Sequence, residues 1–221
     1  PLEVVLLENG ARRTLTSLNA EVAPKLATIE WRAYRWTSFD GLEIEGLLGL
    51  PRDRPEGPLP LVVDVHGGPT GSWSWSFAPA YGFPQLLGSA GYAVLLPNVR
   101  GSVGWGPEFA EANLGDMGGG DLQDILTGID ALAADGIVDD QRVAITGGSY
   151  GGFMACWAVT QTDRFAAALP FAVVTDWVSF HFTTNIGQFD RLYLQADPYD
   201  PDGDYTRRSP LYHASKCKTP T

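Results

Sequence analysis

Hydrophobic and polar positions along this 221-residue chain change their period once, near residue 61. Before it, the signals are those of hairpins. Leu2 to Leu7, the turn Glu8-Asn9-Gly10 and Arg12 to Leu18 read as strand, Asn-Gly turn and strand. That ribbon has no core of its own, and a two-stranded ribbon is marginal alone, so it reads as the end of a larger β domain or as an appendage on the next one. Trp31 to Ser38, the turn Phe39-Asp40-Gly41 and Leu42 to Leu50 predict a second hairpin. The stretch from Pro51 to Pro60, with four prolines and few apolar residues, predicts a loop.

From Leu61 onward, near-continuous apolar runs alternate with helical periods. Leu61 to Val65 and Tyr92 to Leu96 have the character of strands covered on both faces, with room for a helix from Ala78 to Gly91. Leu122, Ile125, Leu126, Ile129 and Leu132 fall at i, i+3, i+4, i+7 and i+10, one apolar stripe that lays a helix on the sheet. Asp121 is expected to cap that helix and Gly136 to close it. A strand at Val143 to Thr146, a helix at Gly151 to Thr160 and a strand at Ala166 to Val174 follow. The order βαβαβαβ predicts an α/β fold with a doubly wound, mostly parallel sheet. The tail from Asp197, rich in Asp, Pro and Tyr, shows no regular period, and no internal repeat stands out.

Composition narrows the partners. At 44% hydrophobic the chain can bury one substantial core, which suggests one domain or one plus a fragment. A net charge of −11 argues against nucleic acid, which needs clustered Lys and Arg. No apolar run reaches 18 residues and the amino terminus lacks a basic-then-apolar pattern, so no membrane partner is expected and the cytoplasm is the expected location. Cys156 and Cys217 read as isolated reduced thiols. Neither has metal-ligand spacing, and no metal or cofactor is expected.

The candidate chemistry lies at Gly147-x-Ser149-x-Gly151, where an apolar β-branched run meets a run of helical character. This is the nucleophile-elbow pattern, a serine on a sharp strand-to-helix turn flanked by glycines. In a chain with 26 glycines the bare motif is weak; its context, with a His66-Gly67-Gly68-Pro69 turn upstream, strengthens it. A serine needs a base to take its proton and two donors for the oxyanion. The Tyr150 N–H and an N–H of the Gly67-Gly68 turn are the candidate donors. The base is the difficulty, because in this arrangement the acidic residue and histidine follow the serine. Only His181 and His213 do; His181, in Phe180-His181-Phe182, reads better as a cap or core wall, His213 is no stronger, and His66 reads as structural. Arg100 is expected to pin its loop, Asp116, Asp121 and Asp124 to cap a helix start rather than hold a cation, and Trp73 and Trp75 to wall a cavity or a domain interface.

Five motifs in order, His66-Gly-Gly-Pro69, Pro97-Asn-Val-Arg-Gly-Ser-Val-Gly-Trp-Gly106, Gly118-Gly-Gly-Asp-Leu-Gln-Asp124, Gly147-Gly-Ser-Tyr-Gly-Gly152 and Val174-Thr-Asp-Trp177, resemble the prolyl oligopeptidase family of serine peptidases, in its acylaminoacyl-peptidase and dipeptidyl-peptidase-like branch. The resemblance implies an α/β-hydrolase domain over residues 31–221, with residues 1–30 as the end of a β-propeller or a linker hairpin. It implies Ser149 as nucleophile, Tyr150 and Gly68 as oxyanion donors, Val174 and Trp177 lining the pocket for the residue before the scissile bond, and short peptides as substrates. It also implies that the triad aspartate and histidine lie beyond Thr221, on a carboxyl-terminal segment that remains associated or is absent from the 221 residues. Loss of the base costs on the order of a millionfold in turnover, so this chain alone is expected to be close to inert. Two other readings stay open: a carboxylesterase, since the elbow serves esters equally, and a non-catalytic interaction domain. Assembly into a homo-oligomer is left open as well.

Overall fold

The computed structural model describes residues 3–21, 29–75 and 83–221. The first ribbon is β1 (Val5–Glu8) and β2 (Ala11–Thr14), joined by the two residues Asn9 and Gly10, both at positive φ, and it forms a two-stranded sheet by itself. β3 (Ile29–Thr37) and β4 (Glu43–Pro51) form the second hairpin, with Ile29 paired to Pro51 and Thr37 to Glu43. β5 (Leu59–Val65), α1 (Phe83–Ser89) and β6 (Ala93–Asn98) follow. The first part of the helix expected from Ala78 lies outside the described residues. A short α2 (Pro107–Glu111) precedes α3 (Gly120–Ala134), β7 (Val138–Gly148), α4 (Tyr150–Gln161) and β8 (Ala167–Phe171).

The second sheet has six strands in the order β3-β4-β6-β5-β7-β8. β5 pairs in parallel with β6 and β7, and β7 with β8, while β4 runs antiparallel to both of its neighbours, β3 and β6. Alternation along the strands sends successive side chains to opposite faces. Leu48, Val63, Leu95 and Ile145 meet Ile125 and Ile129 of α3 and Phe153 and Met154 of α4 on one face. Leu47, Val94 and Leu96 meet Leu87 of α1 on the other. Helices on both faces explain why β5 and β6 read as nearly unbroken apolar runs.

Three expectations change in detail. Asp121 does not cap α3: Gly119 occupies that position, and the helix-start amide of Gly120 donates to Asp116 at 2.8 Å. The helix ends as expected, with Gly136 at positive φ and Ile137 N–H donating back to Leu132 O at 3.0 Å. The strand expected to reach Val174 stops at Phe171, because Ala172 turns to φ 49. The tail is also more regular than its composition suggests. It carries α5 (Trp177–Thr183), α6 (Phe189–Leu194), α7 (Asp204–Arg207) and a 3₁₀ helix (Pro210–Lys216). These short pieces are tied by side chains: Asp176 caps α5, and Ser209 Oγ accepts from Trp177 N at 2.8 Å. The last residues run along the open edge of β8, where Ala168 N–H donates to Pro220 O at 2.9 Å.

One core residue does not belong there by polarity. Asp64, the last residue but one of β5, is 3% exposed, and burial pushes its carboxyl up to about 7. The folded chain therefore holds a proton that the unfolded chain releases near 3.8, and between those values stability falls as pH rises. Asp64→Asn removes that fall. Urea unfolding at pH 4.5 and pH 8 is expected to show the variant gaining on the natural chain at pH 8 by on the order of 3 kcal/mol. Parallel pH courses would show that the carboxylate is ionised there without cost.

Candidate active site

The sheet order reverses around β5, with β6 on one side and β7 on the other, and it is outside the carboxyl ends of such a strand pair that open α/β sheets place their ligand crevice. Val65 pairs with Gly147 at those ends, which sets His66-Gly67 beside Gly148-Ser149. The approach is close enough to dictate residue types. A Cβ on Gly151 would lie 1.9 Å from Val65 O, and one on Gly147 would lie 2.5 Å from the same oxygen. Only glycine at both positions lets α4 start this near β5.

Between them the chain bends at Ser149, whose φ of 59 and ψ of −119 no ordinary side chain favours. Such a conformation costs on the order of 1–3 kcal/mol and persists only where its surroundings impose it. Here Ser149 N–H donates to Phe171 O at 3.2 Å, and Ser149 O accepts from Phe153 N–H at 2.9 Å. The serine itself is exposed. Across the crevice a Cβ on Gly67 would lie 3.4 Å from Ser149 Cβ and 3.9 Å from its Oγ, so the glycine turn stands directly against the serine. Tyr150, the first residue of α4, has an amide with no partner inside the helix, at the end where the helix dipole favours negative charge.

The glycine turn is held from behind. Gly68 has φ 128, and a Cβ there would meet the Thr70 and Gly71 amides at 2.4 Å. His66 is buried; its Nδ1 lies 2.8 Å from Gly67 O, which can only accept, so that nitrogen carries the proton. Its Nε2 lies 2.8 Å from Ser102 Oγ, and burial holds the ring below its usual pKa and neutral. Trp73 donates its indole N–H to Asp64 O at 2.9 Å, and its backbone exchanges two hydrogen bonds with the Asn98 carboxamide. His66 is thus the structural residue the sequence predicts, and Trp73 a stitch from the turn to β5 and the end of β6. Trp75 is exposed.

Arg100 also has the expected structural role. It forks onto Asp124 at 2.8 and 3.0 Å and onto Asp40 at 2.8 and 3.0 Å, with the Phe39 ring 5.0 Å away. Asp124 is fully buried and also accepts from Ser38 Oγ and Arg100 N–H, so both of its carboxylate oxygens are hydrogen-bonded. The remaining carboxylates of the group are occupied too. Asp116 pairs with Arg208 at 3.1 Å, and Asp121 accepts the Tyr150 hydroxyl and the Gly118 and Leu122 amides. Burial pushes Asp121 up to about 6, opposed by those hydrogen bonds.

None of the three histidines is engaged with Ser149. His213 Nε2 lies 2.7 Å from Arg207 O, and His181 Nδ1 lies 2.6 Å from Asp190 Oδ2. Asp190 also accepts the Tyr205 hydroxyl at 2.5 Å, which makes a buried His-Asp-Tyr group that couples α5, α6 and α7. That group escapes sequence reasoning because its members are separated by irregular segments with no period. Trp177 is only 1% exposed, with its ring 5.0 Å from Phe153, 5.4 Å from Phe180 and 6.3 Å from Phe189. It therefore stands behind the crevice wall rather than on its surface, while Val174 is half-buried in the loop after β8.

Gly151→Ala drives a methyl into Val65 O. The expected loss is about 3 kcal/mol or more in a denaturant titration. A loss below about 1 kcal/mol would mean that α4 and β5 do not approach as described.

The sequence profile of the prolyl oligopeptidase family matches residues 75–221. The uncharacterized peptidase YuxL of Bacillus subtilis is 38% identical over 189 residues, which cover 84% of this chain and 28% of that protein. The acylamino-acid-releasing enzyme of Mus musculus is 31% identical over 230 residues, covering 96% of this chain and 31% of the enzyme. Among solved structures, the Pyrococcus horikoshii acylaminoacyl peptidase superposes with a TM-score of 0.90 at 36% identity, over 99% of this chain and 35% of that one. The chain spans about a third of the length of the relatives it matches.

Proposed function

The chain belongs to the prolyl oligopeptidase family, and on that premise we propose that it is the serine-bearing part of a peptidase that hydrolyses short peptides of the acylaminoacyl or dipeptidyl type through an acyl-enzyme. The observation that carries this reading is the exposed Ser149, held at φ 59 against Gly67 at the mouth of the β5–β7 crevice. In the proposed reaction, Ser149 Oγ attacks the scissile carbonyl and a base takes its proton. The amides of Tyr150 and Gly68 donate to the oxygen that becomes an oxyanion, and the leaving amine departs with a proton from the protonated base. Water then adds to the acyl-enzyme by the same route in reverse.

With the three histidines of this chain engaged elsewhere, the base and its orienting carboxylate are supplied by residues outside these 221. Val174 lines the pocket for the residue before the scissile bond, and Trp177 supports that wall from its buried position. The exposed Leu169 (72%) and Phe171 (37%) on β8 leave an apolar surface for that further segment to cover. Residues 1–30 are read as the end of a β-propeller or a linker, in keeping with a hairpin that forms its own sheet. Among the described residues no helix is long and apolar enough to cross a membrane, and a cytoplasmic location is part of the proposal.

A fluorophosphonate probe applied to the intact protein is expected to label Ser149 and no other serine, and Ser149→Ala to abolish both the label and hydrolysis of acylaminoacyl or dipeptidyl amides. Absence of label on folded protein would contradict the serine mechanism. Rapid turnover of p-nitrophenyl esters with no amide cleavage would replace the peptidase with an esterase.

A further inference from the structure

Tyr150 has two ends with different surroundings. Its amide stands at the start of α4, directly after Ser149, without a partner inside the helix. Its side chain runs the opposite way and is buried, with the ring 5.6 Å from Phe153. The hydroxyl at its tip donates to Asp121 Oδ2, in the first turn of α3. Asp121 is fully buried, and its carboxylate also accepts from Gly118 N–H at 3.2 Å and Leu122 N–H at 2.9 Å. Asn113 is also fully buried, and its carboxamide makes no hydrogen bond among the described residues.

α3 cannot easily shift to follow a misplaced tyrosine. Asp124, one turn along, is clamped by Arg100 and Ser38, and the Gly118 carbonyl accepts the Trp157 indole N–H at 2.6 Å. Tyr150 is thus fixed at three points: the bend at Ser149 before it, the Phe153-to-Ser149 hydrogen bond after it, and its own hydroxyl. A hydroxyl buried this deeply needs an acceptor, and one on another element adds a constraint on Tyr150 that the backbone of α4 alone does not supply.

We infer that Asp121 is a positioning residue for the reaction: through the Tyr150 hydroxyl it aims the Tyr150 amide at the site where the oxyanion forms. This rests on the peptidase reading above, and it adds a residue from a different helix, outside the crevice, to the machinery. Asp121 touches neither substrate nor the reacting atoms. Its contribution is to hold a donor in place, and misplacement of a reacting or stabilising group by about an ångström costs on the order of a hundredfold in rate.

The test is a double-mutant cycle in the intact protein, with rates counted per serine titrated by the fluorophosphonate. Tyr150→Phe and Asp121→Ala are each expected to lower kcat on an amide substrate by about tenfold to a hundredfold. Each is expected to weaken a peptide aldehyde, whose adduct carries the oxyanion, by the same factor, and to leave KM within about twofold. The double variant is expected to be no slower than the slower single, because the two side chains act as one unit. Asp121→Asn, whose carbonyl oxygen still accepts, is expected to stay within about threefold of the natural protein. A purely structural role would lower the melting temperature or the titrated fraction and leave kcat per site and aldehyde affinity untouched. That result for Tyr150→Phe, or losses that multiply in the double variant, overturns the inference. If Asp121→Ala does not fold, Tyr150→Phe and Asp121→Asn decide the matter between them. Failure of the peptidase reading is distinct: it shows in the unsubstituted protein, as a Ser149 that does not titrate, and it takes this inference with it.

Discussion

The contact between the start of α4 and the carboxyl end of β5 is the constraint on which the rest of this structure depends. Helix and strand approach so closely that the carbonyl of Val65 occupies the space where a side chain at Gly151 or Gly147 would stand. Nothing but a sharp bend connects β7 to a helix in that position, and Ser149 is the residue at the bend. Its backbone strain is therefore a consequence of sheet-to-helix packing. The same packing leaves Ser149 exposed, starts α4 directly after it, and brings the glycine turn after β5 against it.

A crevice shaped by loops needs those loops held still, and buried polar side chains do this on each side. Arg100 with Asp124 and Asp40 fixes the turn after β6 to α3 and to the β3–β4 turn. His66 with Ser102 ties the glycine turn to that same segment. Asp121 with Tyr150 ties α3 to α4. Each buried polar group in these sets has hydrogen-bond partners, as it must away from water, and a satisfied network permits few alternative arrangements. α3 takes part in two of the three, so its apolar stripe on one side and its carboxylates on the other serve different ends.

How much of this was legible beforehand follows from the range of each interaction. The hairpin turn at Asn9-Gly10, the stripe from Leu122 to Leu132, the closing Gly136 and the elbow at Ser149 are set by residues a few positions apart, and each lies where the pattern places it. Helix capping by Asp121 failed as an expectation because an acidic residue at a helix start has two uses, and a tyrosine 29 residues away claimed it. The strand expected to reach Val174 ended early because Ala172 turns to positive φ, which an Ala in an apolar run does not announce. α5, α6, α7 and the 3₁₀ helix were hidden because they are short and are stabilised by distant partners such as the His181–Asp190–Tyr205 group. The pocket role expected of Trp177 was blurred by burial, since sequence distinguishes an aromatic residue on a wall from one behind it only poorly.

The proposed mechanism requires the Ser149 oxygen and the amides of Tyr150 and Gly68 to converge on one point. A crystal structure of the intact protein with a peptide phosphonate attached to Ser149 tests it directly. One phosphoryl oxygen is expected within about 2.7–3.1 Å of both amide nitrogens. An adduct whose oxygen points into solvent, or rests on other donors, would contradict it.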